Sequence, residues 1–347
     1  MPAEPAVQGN DLPGRRAADA AAPAMRAVVR DSYGSADLLD LRKVERPRIT
    51  NHEVLVRVRA AGLDRGVWHI MTGQPYLLRI AGYGIRRPRT AALGLALAGV
   101  VEAVGADVKG LAPGDAVFGT GKGSLAEYAA ARPDKLARMP ATLTHEQAAA
   151  VPVSGPTALQ SLRDRGRVQA GQHVLIIGAS GGVGTFAVQI AKAFGAEVTG
   201  VCSTAKTDLV RSIGADHVID YTVSDIRDGN CRYDLVLDIG GNTPLTALRR
   251  LLTSKGTLVI VGGEGGGRWF GGIDRQLRAT TLSPFVGQRL GTFIASDNTA
   301  DLDALRALIE DGAVTPVVDR VCSLAEIPEA MRDLEAGRVR GKVVAAI

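Results

Sequence analysis

The sequence has few cysteines and lacks any long hydrophobic run. Its 347 residues include three cysteines, Cys202, Cys231 and Cys322, which are odd in number and far apart. This pattern argues against a disulfide framework and is typical of a reducing compartment, so we expect a cytoplasmic protein. No apolar stretch approaches the roughly 18 residues that a membrane-spanning helix needs. We therefore expect no membrane partner.

The sequence also lacks a strong excess of charge of one sign. Its net charge is +5, and arginines are scattered in pairs such as Arg86 and Arg87. A nucleic-acid surface needs a denser basic patch or a recognisable module, so we expect no nucleic-acid partner. Residues 1–24 combine Ala, Pro and charge without an apolar centre. Although Arg15 and Arg16 suggest a twin-arginine export signal, the missing hydrophobic region favours a disordered tail.

The pattern of apolar residues changes near residue 152. Residues 25–152 contain short alternating segments such as "EVLVRVRAAG", which predict an antiparallel β-rich domain. In residues 153–297, apolar strands alternate with helical stretches, which predicts a doubly wound parallel sheet. Residues 298–347 add two helical stretches and a final strand, "GKVVAAI", after that sheet is complete. We expect an α/β protein whose last segment returns to the first domain.

A glycine-rich turn follows the first strand of the parallel sheet, in "HVLIIGASGGVG". Gly181 lets the backbone approach a pyrophosphate, and Gly184 lets the next helix pack closely on the strand. Ser180, Gly182 and Val183 complete the turn, and the helix start offers free N–H groups to phosphate oxygens. A strand before the turn and a helix after it favour dinucleotide binding over a simple tight turn.

An acid is missing where the second strand of this unit ends, in "EVTGVCSTAK". An acid at this position would accept a hydrogen bond from a ribose 2′-hydroxyl and would repel a 2′-phosphate. Ser203 and Lys206 offer a hydroxyl and a cation instead, so we predict NADPH rather than NADH. The alternative is that Lys206 is a solvated residue of the next helix. A cation at a helix start is unfavourable without an anion beside it, which supports the first interpretation.

Aromatic residues are scarce, with two Trp, six Tyr and six Phe in the whole chain. Trp68, Tyr76 and Tyr83 nevertheless fall close together in residues 64–90. Such a segment suits the wall and lid of a cleft, and it equally suits core packing under a long loop. In the first case Tyr76 is our preferred hydrogen-bond donor to a substrate.

Several motifs together resemble the medium-chain dehydrogenase/reductase superfamily, specifically its zinc-free quinone oxidoreductase and enoyl-reductase-like branch. They are "AAGLDRGVWHIMTGQPY", "GLALAGVVEAVG", "GASGGVG", "GADHVIDY" and the terminal "GKVV", and they span residues 25–347. The resemblance implies a GroES-like catalytic domain, a Rossmann domain, a cleft between the two and a homodimer.

The same resemblance assigns further cofactor-binding residues. Thr157 matches a family threonine beside the nicotinamide, and Gly262 and Gly263 match the strand end next to its ribose. Tyr221 matches an aromatic residue on the adenine side. Lys342 matches a family lysine, although a plain surface role stays open for it.

Zinc ligands of the superfamily are absent from the matching positions. Its zinc alcohol dehydrogenases carry Cys where this chain has Asp64, and a His-Glu pair where it has Leu95 and Ala96. No cysteine precedes residue 202, so the resemblance implies no metal site. We count Asp64 with Tyr76 and Trp68 as the candidate catalytic residues.

A reductase without a metal needs a substrate that is already electrophilic. We therefore expect an NADPH-dependent enzyme that reduces a small carbonyl compound, an enone or a quinone. Ala96 stands where related sequences commonly carry an acid. This departure keeps a non-redox alternative open: a cyclase, an isomerase or an NADPH-binding sensor.

Overall fold

The structure is a computed structural model that describes residues 23–228, 231–263 and 267–347. Residues 1–22 of the predicted tail lie outside the described ranges. The strands within these ranges are β1 (Ala24–Val29), β2 (Asp40–Glu45), β3 (Val54–Gly62), β4 (Ala96–Val104), β5 (Ala116–Thr120), β6 (Tyr128–Ala131), β7 (Leu136–Arg138), β8 (His173–Ile177), β9 (Glu197–Cys202), β10 (His217–Asp220), β11 (Tyr233–Asp238), β12 (Leu252–Ile260), β13 (Arg289–Thr292), β14 (Val318–Ser323) and β15 (Lys342–Ala346).

The described ranges also contain α-helices, most of them in the second half of the chain. They are α1 (Arg65–Thr72), α2 (His145–Ala149), α3 (Ser154–Gln160), α4 (Gly182–Ala193), α5 (Thr207–Ser212), α6 (Leu245–Leu251), α7 (Gly267–Phe270), α8 (Ile273–Leu282), α9 (Thr299–Glu310) and α10 (Ile327–Glu335). Among the described residues, none of these helices is long and apolar enough to cross a membrane.

The first part of the chain forms a largely antiparallel sheet, as its alternating pattern predicts. In β3, the side chains of Val54, Val56 and Val58 are buried and those of the intervening residues are less so. One edge of β3 pairs with β4, and the sheet continues through β5 to β7. The other edge pairs with β6 along its first half. One face of this sheet therefore covers a core.

The second sheet is parallel, and the prediction of a doubly wound sheet is confirmed. Its strand order is β10-β9-β8-β11-β12-β13. The direction in which strands are added reverses between β8 and β11. In sheets of this kind the reversal opens a crevice at the carboxyl ends of the strands, where ligands bind.

The last segment of the chain joins the first sheet. β15 pairs antiparallel with the second half of β3, with Val344 opposite Gly62, and parallel with β14. One hydrophobic cluster includes Phe118 of β5, Phe186 of α4 and Val344 of β15. The two sheets are therefore packed into one body, and the crevice of the parallel sheet opens beside β3 and β15.

Candidate active site

A cleft of about 1250 Å³ lies at the carboxyl ends of the parallel strands, with walls from both sheets. The structure brings most of the residues proposed from the sequence into its lining: Asp64, Thr157, Ser180, Gly181, Gly182, Val183, Ser203, Lys206, Tyr221, Gly262, Gly263 and Lys342. These residues are spread over most of the chain. The crevice expected from the sheet order is therefore the place where they meet.

The glycine turn between β8 and α4 forms a narrow part of this wall. A Cβ atom on Gly184 would lie 2.1 Å from the carbonyl oxygen of Gly178, so α4 packs directly against the end of β8. A Cβ on Gly181 would meet only that same oxygen, at 3.6 Å, so the backbone there faces open space. The first N–H groups of α4 have no acceptor within the helix, and its dipole attracts anions. The shape and polarity of the turn fit a pyrophosphate.

Asp64, Ser154 and Lys342 form a buried polar cluster beside this turn. Lys342 Nζ donates to Asp64 Oδ1 and lies 3.3 Å from Ser154 Oγ, which donates to Asp64 Oδ1 at 3.1 Å. The side chains of Lys342 and Asp64 are only 2% and 3% exposed. Burial raises the pKa of Asp64, and the Lys342 ammonium opposes that rise. Each charge therefore depends on the other for its place in the interior.

The cluster touches the glycine turn directly. A Cβ on Gly182 would lie 2.9 Å from Lys342 Cδ and 3.0 Å from Ser154 Oγ. The N–H of Gly341 donates to the carbonyl oxygen of Ser180 at 2.8 Å, so the start of β15 crosses the turn. Asp64 Oδ2 is buried and has no hydrogen-bond partner among the described residues. The acceptor capacity of this oxygen is therefore unused among the described residues.

Ser154 is a residue that the sequence analysis missed, although it stands three positions before Thr157. The preceding residue, Val153, has φ 69°, a value that a β-branched side chain rarely adopts. The carbonyl oxygen of Val153 accepts from Thr157 Oγ1 at 2.5 Å. Strained residues of this kind persist where their surroundings hold them in place. Here the Thr157 hydroxyl binds the Val153 carbonyl, and the Ser154 hydroxyl binds Asp64.

Lys206 lies at the other end of the cleft, after β9. Its Nζ donates to the carbonyl oxygens of Gly337 and Val339, each at 2.7 Å, in the segment that follows α10. Burial lowers the pKa of Lys206. An ammonium has three donors, so one N–H is left for a ligand. Ser203 lies beside it, and the ring of Tyr221 is 61% exposed.

The sequence analysis also missed a buried ion pair at the nicotinamide end of the expected site. Asp238, the last residue of β11, is fully buried and accepts from Arg275 Nη1 at 2.6 Å. The same guanidinium donates to the carbonyl oxygens of Thr243 and Gly262. Burial raises the pKa of Asp238, and Arg275 opposes this. An acid ending a buried parallel strand was a usable signal, whereas nothing in its local sequence marks Arg275.

Trp68 and Tyr76, the other two candidate catalytic residues, are not among the residues that line this cleft. The Tyr76 ring packs edge-to-face on Trp269 with 5.1 Å between centroids, and the guanidinium of Arg79 lies 4.5 Å over it. These contacts pack the ring against α7 and Arg79. Trp68 lies under the guanidinium of Arg65 and packs against the hydrophobic core of the antiparallel sheet, which includes Val56 and Met71.

Loss of Lys342 would leave the Asp64 carboxylate buried without its counter-charge. We expect Lys342→Met to lower the free energy of unfolding by about 3 kcal/mol at pH 7. Burial raises the pKa of Asp64 in the folded protein, so the folded variant binds a proton more tightly than the unfolded chain does. The loss in free energy of unfolding therefore shrinks as the pH falls toward 4. Urea unfolding at pH 7 and pH 4.5 measures both effects.

The double variant Asp64→Asn with Lys342→Met is the control for this prediction. It removes both charges, so we expect a smaller deficit that does not change between the two pH values. An equal deficit for Lys342→Met at pH 7 and pH 4.5 would show that Asp64 does not depend on Lys342 for its charge.

Comparison with known proteins agrees with this architecture. Residues 50–141 match the family model "Alcohol dehydrogenase GroES-like domain", and residues 213–344 match "Zinc-binding dehydrogenase". The chain is 35% identical to NAD(P)H oxidoreductase RTN4IP1, mitochondrial, of Danio rerio, over 93% of this chain and 91% of that protein. It is 33% identical to NADPH-dependent alkenal/one oxidoreductase, chloroplastic, of Arabidopsis thaliana, over 94% of this chain and 81% of that protein.

A solved structure shows the same fold over nearly the whole chain. The quinone oxidoreductase from Coxiella burnetii superposes with a TM-score of 0.82 at 26% identity, covering 94% of this chain and 100% of that one. The predicted GroES-like and Rossmann architecture is confirmed. The chain belongs to the medium-chain dehydrogenase/reductase superfamily, in its quinone oxidoreductase and enoyl-reductase-like branch, and is an oxidoreductase that uses a nicotinamide cofactor.

Proposed function

We propose that this oxidoreductase uses NADPH to reduce an electrophilic alkene or a quinone without zinc. The observation that carries the proposal is the cleft itself, which joins a pyrophosphate-shaped glycine turn to a hydroxyl and an ammonium, Ser203 and Lys206, where an acid would select NADH. The names of the relatives from Danio rerio and Arabidopsis thaliana point to the same class of reaction.

The cofactor would lie along the cleft in three parts. Its pyrophosphate would be held by the turn of residues 180–183, and its adenosine end by Ser203, Lys206 and Tyr221. Its nicotinamide end would lie by Thr157 and the strand end at residues 262–263. When bound, a dihydronicotinamide supplies the hydride for the reduction.

The residues of the chain position the two ends of this site. Arg275 holds the carbonyl of Gly262 at 3.1 Å and so fixes the backbone at the nicotinamide end. Asp64 Oδ2 would accept an N–H or O–H of a bound molecule, while Asp64 Oδ1 stays with Lys342 and Ser154. Because Asp64 and Lys342 are buried, water and salt screen their attraction only weakly. Orientation against the cofactor is the main catalytic contribution that we assign to the site.

The negative charge that hydride addition leaves on the substrate determines which substrates suit such a site. Hydride addition to the β-carbon of an enone leaves a delocalised enolate, whereas addition to a saturated ketone leaves a localised alkoxide. A localised charge needs a metal or strong donors close to the oxygen. The Asp64 carboxylate is already paired with the buried Lys342 ammonium, and this ammonium would repel a divalent cation beside the carboxylate. The arrangement therefore favours enones and quinones.

Preference for NADPH tests the assignment of Ser203 and Lys206. We expect NADPH to bind at least tenfold more tightly than NADH, and Lys206→Ala to remove most of that difference, because a charge-assisted contact to phosphate contributes roughly 1.5–3 kcal/mol. Fluorescence titration measures both affinities. Arg211→Ala is the matched control, since Arg211 is exposed and pairs with Asp208 at the surface. Equal affinities for NADPH and NADH in the native protein would refute the proposal.

Metal content tests zinc independence. Elemental analysis of protein prepared without added metal is expected to find well under one zinc per chain. A chelator is expected to leave NADPH oxidation unchanged, because Asp64 is paired with Lys342 rather than free to bind a cation. Stoichiometric zinc whose removal abolishes activity would contradict this.

The position of the transferred hydride tests the reaction. With NADPH that carries deuterium at the transferred position, we expect label at the β-carbon of an enone product and no reduction of the matching saturated ketone. Mass spectrometry and NMR of the products make the measurement, over a screen of quinones, alkenals, cyclic enones and simple aldehydes. Label on a carbinol carbon would indicate an alcohol dehydrogenase. Tight NADPH binding without transfer to any of these compounds would favour the non-redox alternative.

We also propose that the enzyme is a homodimer and works in the cytoplasm. β13 is the last strand of its sheet, and Phe285 and Ile294 beside it are 82% and 96% exposed, which supports pairing with a second copy at this edge. Cys202, Cys231 and Cys322 form no disulfide among the described residues, which supports a reducing location such as the cytoplasm. The Danio rerio relative is named as mitochondrial, which is another reducing location.

A further inference from the structure

A surface rich in exposed apolar and arginine side chains lies at one side of the cleft. It is formed by the segment after α1 and by α7, and we call it the arginine-apolar surface. Its exposed apolar members are Leu77, Ile80, Ile85, Trp269 and Phe270, which are 39%, 69%, 71%, 65% and 55% exposed. Its exposed arginines are Arg86, Arg87, Arg89 and Arg268. Apolar side chains exposed together in this way mark an interaction site.

The two segments of this surface are in direct contact. The N–H of Tyr76 donates to the carbonyl oxygen of Arg268 at 2.9 Å, and the rings of Tyr76 and Trp269 pack edge-to-face. A Cβ on Gly271 would lie within 2.8 Å of the Pro75 ring. The two segments therefore adjoin at this contact, and we treat the exposed side chains that they carry as one surface.

The segment of the arginine-apolar surface that follows α1 has no acid of its own. Residues 65–101 contain no Asp or Glu at all. Within the part of the chain that the structure describes, Arg86, Arg87 and Arg89 form no ion pair. Elsewhere, exposed arginines such as Arg132 and Arg138 are paired with neighbouring acids. A partner for this surface must supply the negative charge.

We propose that the arginine-apolar surface docks the enzyme onto an anionic lipid bilayer. Tryptophan and isoleucine side chains suit the boundary between headgroups and acyl chains, and arginines suit the lipid phosphates next to it. A second copy of the chain fits less well, because arginines stand among the apolar side chains and two copies would bring like charges together. This proposal departs from the expectation of no membrane partner, which was drawn from the lack of a membrane-spanning run. No membrane-spanning helix is needed for this attachment, since the surface lies on the bilayer rather than across it.

The arginine-apolar surface is connected to the cleft. His69 lines the cleft, and its Nδ1 is 2.8 Å from the carbonyl oxygen of Gln74, one residue before Pro75. On the side of α7, Gly263 of the cleft packs against the backbone of Gly271 and Gly272. Docking at this surface would place the end of the cleft near the bilayer, where lipophilic substrates are dissolved. Attachment itself does not depend on the chemistry proposed for the cleft.

Vesicle binding of the full chain, without cofactor or substrate, tests the proposal. We expect the protein to sediment with vesicles of three parts phosphatidylcholine and one part phosphatidylserine, and not with phosphatidylcholine alone. Arg86→Gln with Arg87→Gln is expected to weaken binding by roughly 30-fold, since each basic residue near an anionic surface contributes about a fivefold factor. Ile80→Ser with Ile85→Ser is expected to weaken it by roughly tenfold or more. Higher salt should weaken the binding of the native protein.

Matched controls remove the same charge and the same type of side chain elsewhere. Lys109→Gln with Lys255→Gln removes two exposed charges, and Leu38→Ser with Val321→Ser removes two exposed apolar side chains; both are expected to bind as the native protein does. Circular dichroism confirms that each variant is folded, and NADPH affinity is expected to stay unchanged in all four. Residues 1–22 are present in every variant, so the tail cannot account for a difference.

Three outcomes would overturn the proposal. The first is no binding to anionic vesicles by the native protein, and the second is equal weakening by the controls. The third is a change from dimer to monomer in Ile80→Ser with Ile85→Ser, measured by sedimentation, which would make the surface an interface between copies. Each of these results leaves the cofactor and hydride-transfer measurements unaffected, so the two proposals fail separately.

Discussion

The buried ion pair between Asp64 and Lys342 is the interaction on which the rest of the site depends. It joins the residue before α1 to the first residue of the last strand, with Ser154 as a third member. Two buried charges are costly to remove from water, and only their mutual attraction and the Ser154 hydroxyl compensate for that cost. The pair is possible because β15 pairs with β3 and because Gly182 leaves room for the lysine side chain.

A second buried ion pair holds the opposite wall of the cleft. Asp238 and Arg275 join the end of β11 to α8, and Arg275 also binds the backbone at Gly262. The glycine turn thus lies between two fixed walls, one from each sheet. Catalysis by orientation needs this rigidity, because small displacements of the reacting atoms are costly in rate.

The segment after α1 packs its Tyr76 ring against α7, and Tyr76 is not among the residues that line the cleft. Arg79 lies 4.4 Å over the ring of Tyr33 and 4.5 Å over that of Tyr76, and this stack directs Tyr76 toward Trp269. The result is a contact between the two domains at one end of the cleft. The exposed isoleucines and arginines beyond that contact are left facing outward, which is consistent with access for a substrate that arrives from an apolar phase.

The sequence by itself determined the features that depend on local patterns. The alternating valines of β3, the apolar strands of the parallel sheet and the glycine turn at residues 180–184 are local signals, and the structure agrees with them. The absence of an acid directly after β9 is visible in the same way. Each of these depends on residues a few positions apart, so periodicity and turn chemistry are sufficient to predict it.

Tertiary structure alone decided which distant residues meet. Asp64 and Lys342 are 278 positions apart, and Lys206 contacts carbonyls 131 and 133 positions away. Nothing in the local sequence of either partner reveals these contacts, because they form only once β15 has paired with β3. The direction of the Tyr76 ring was decided in the same way, by Trp269 on the other domain. Local pattern specifies which elements form, whereas side-chain partners across the cleft follow from how the two sheets pack together.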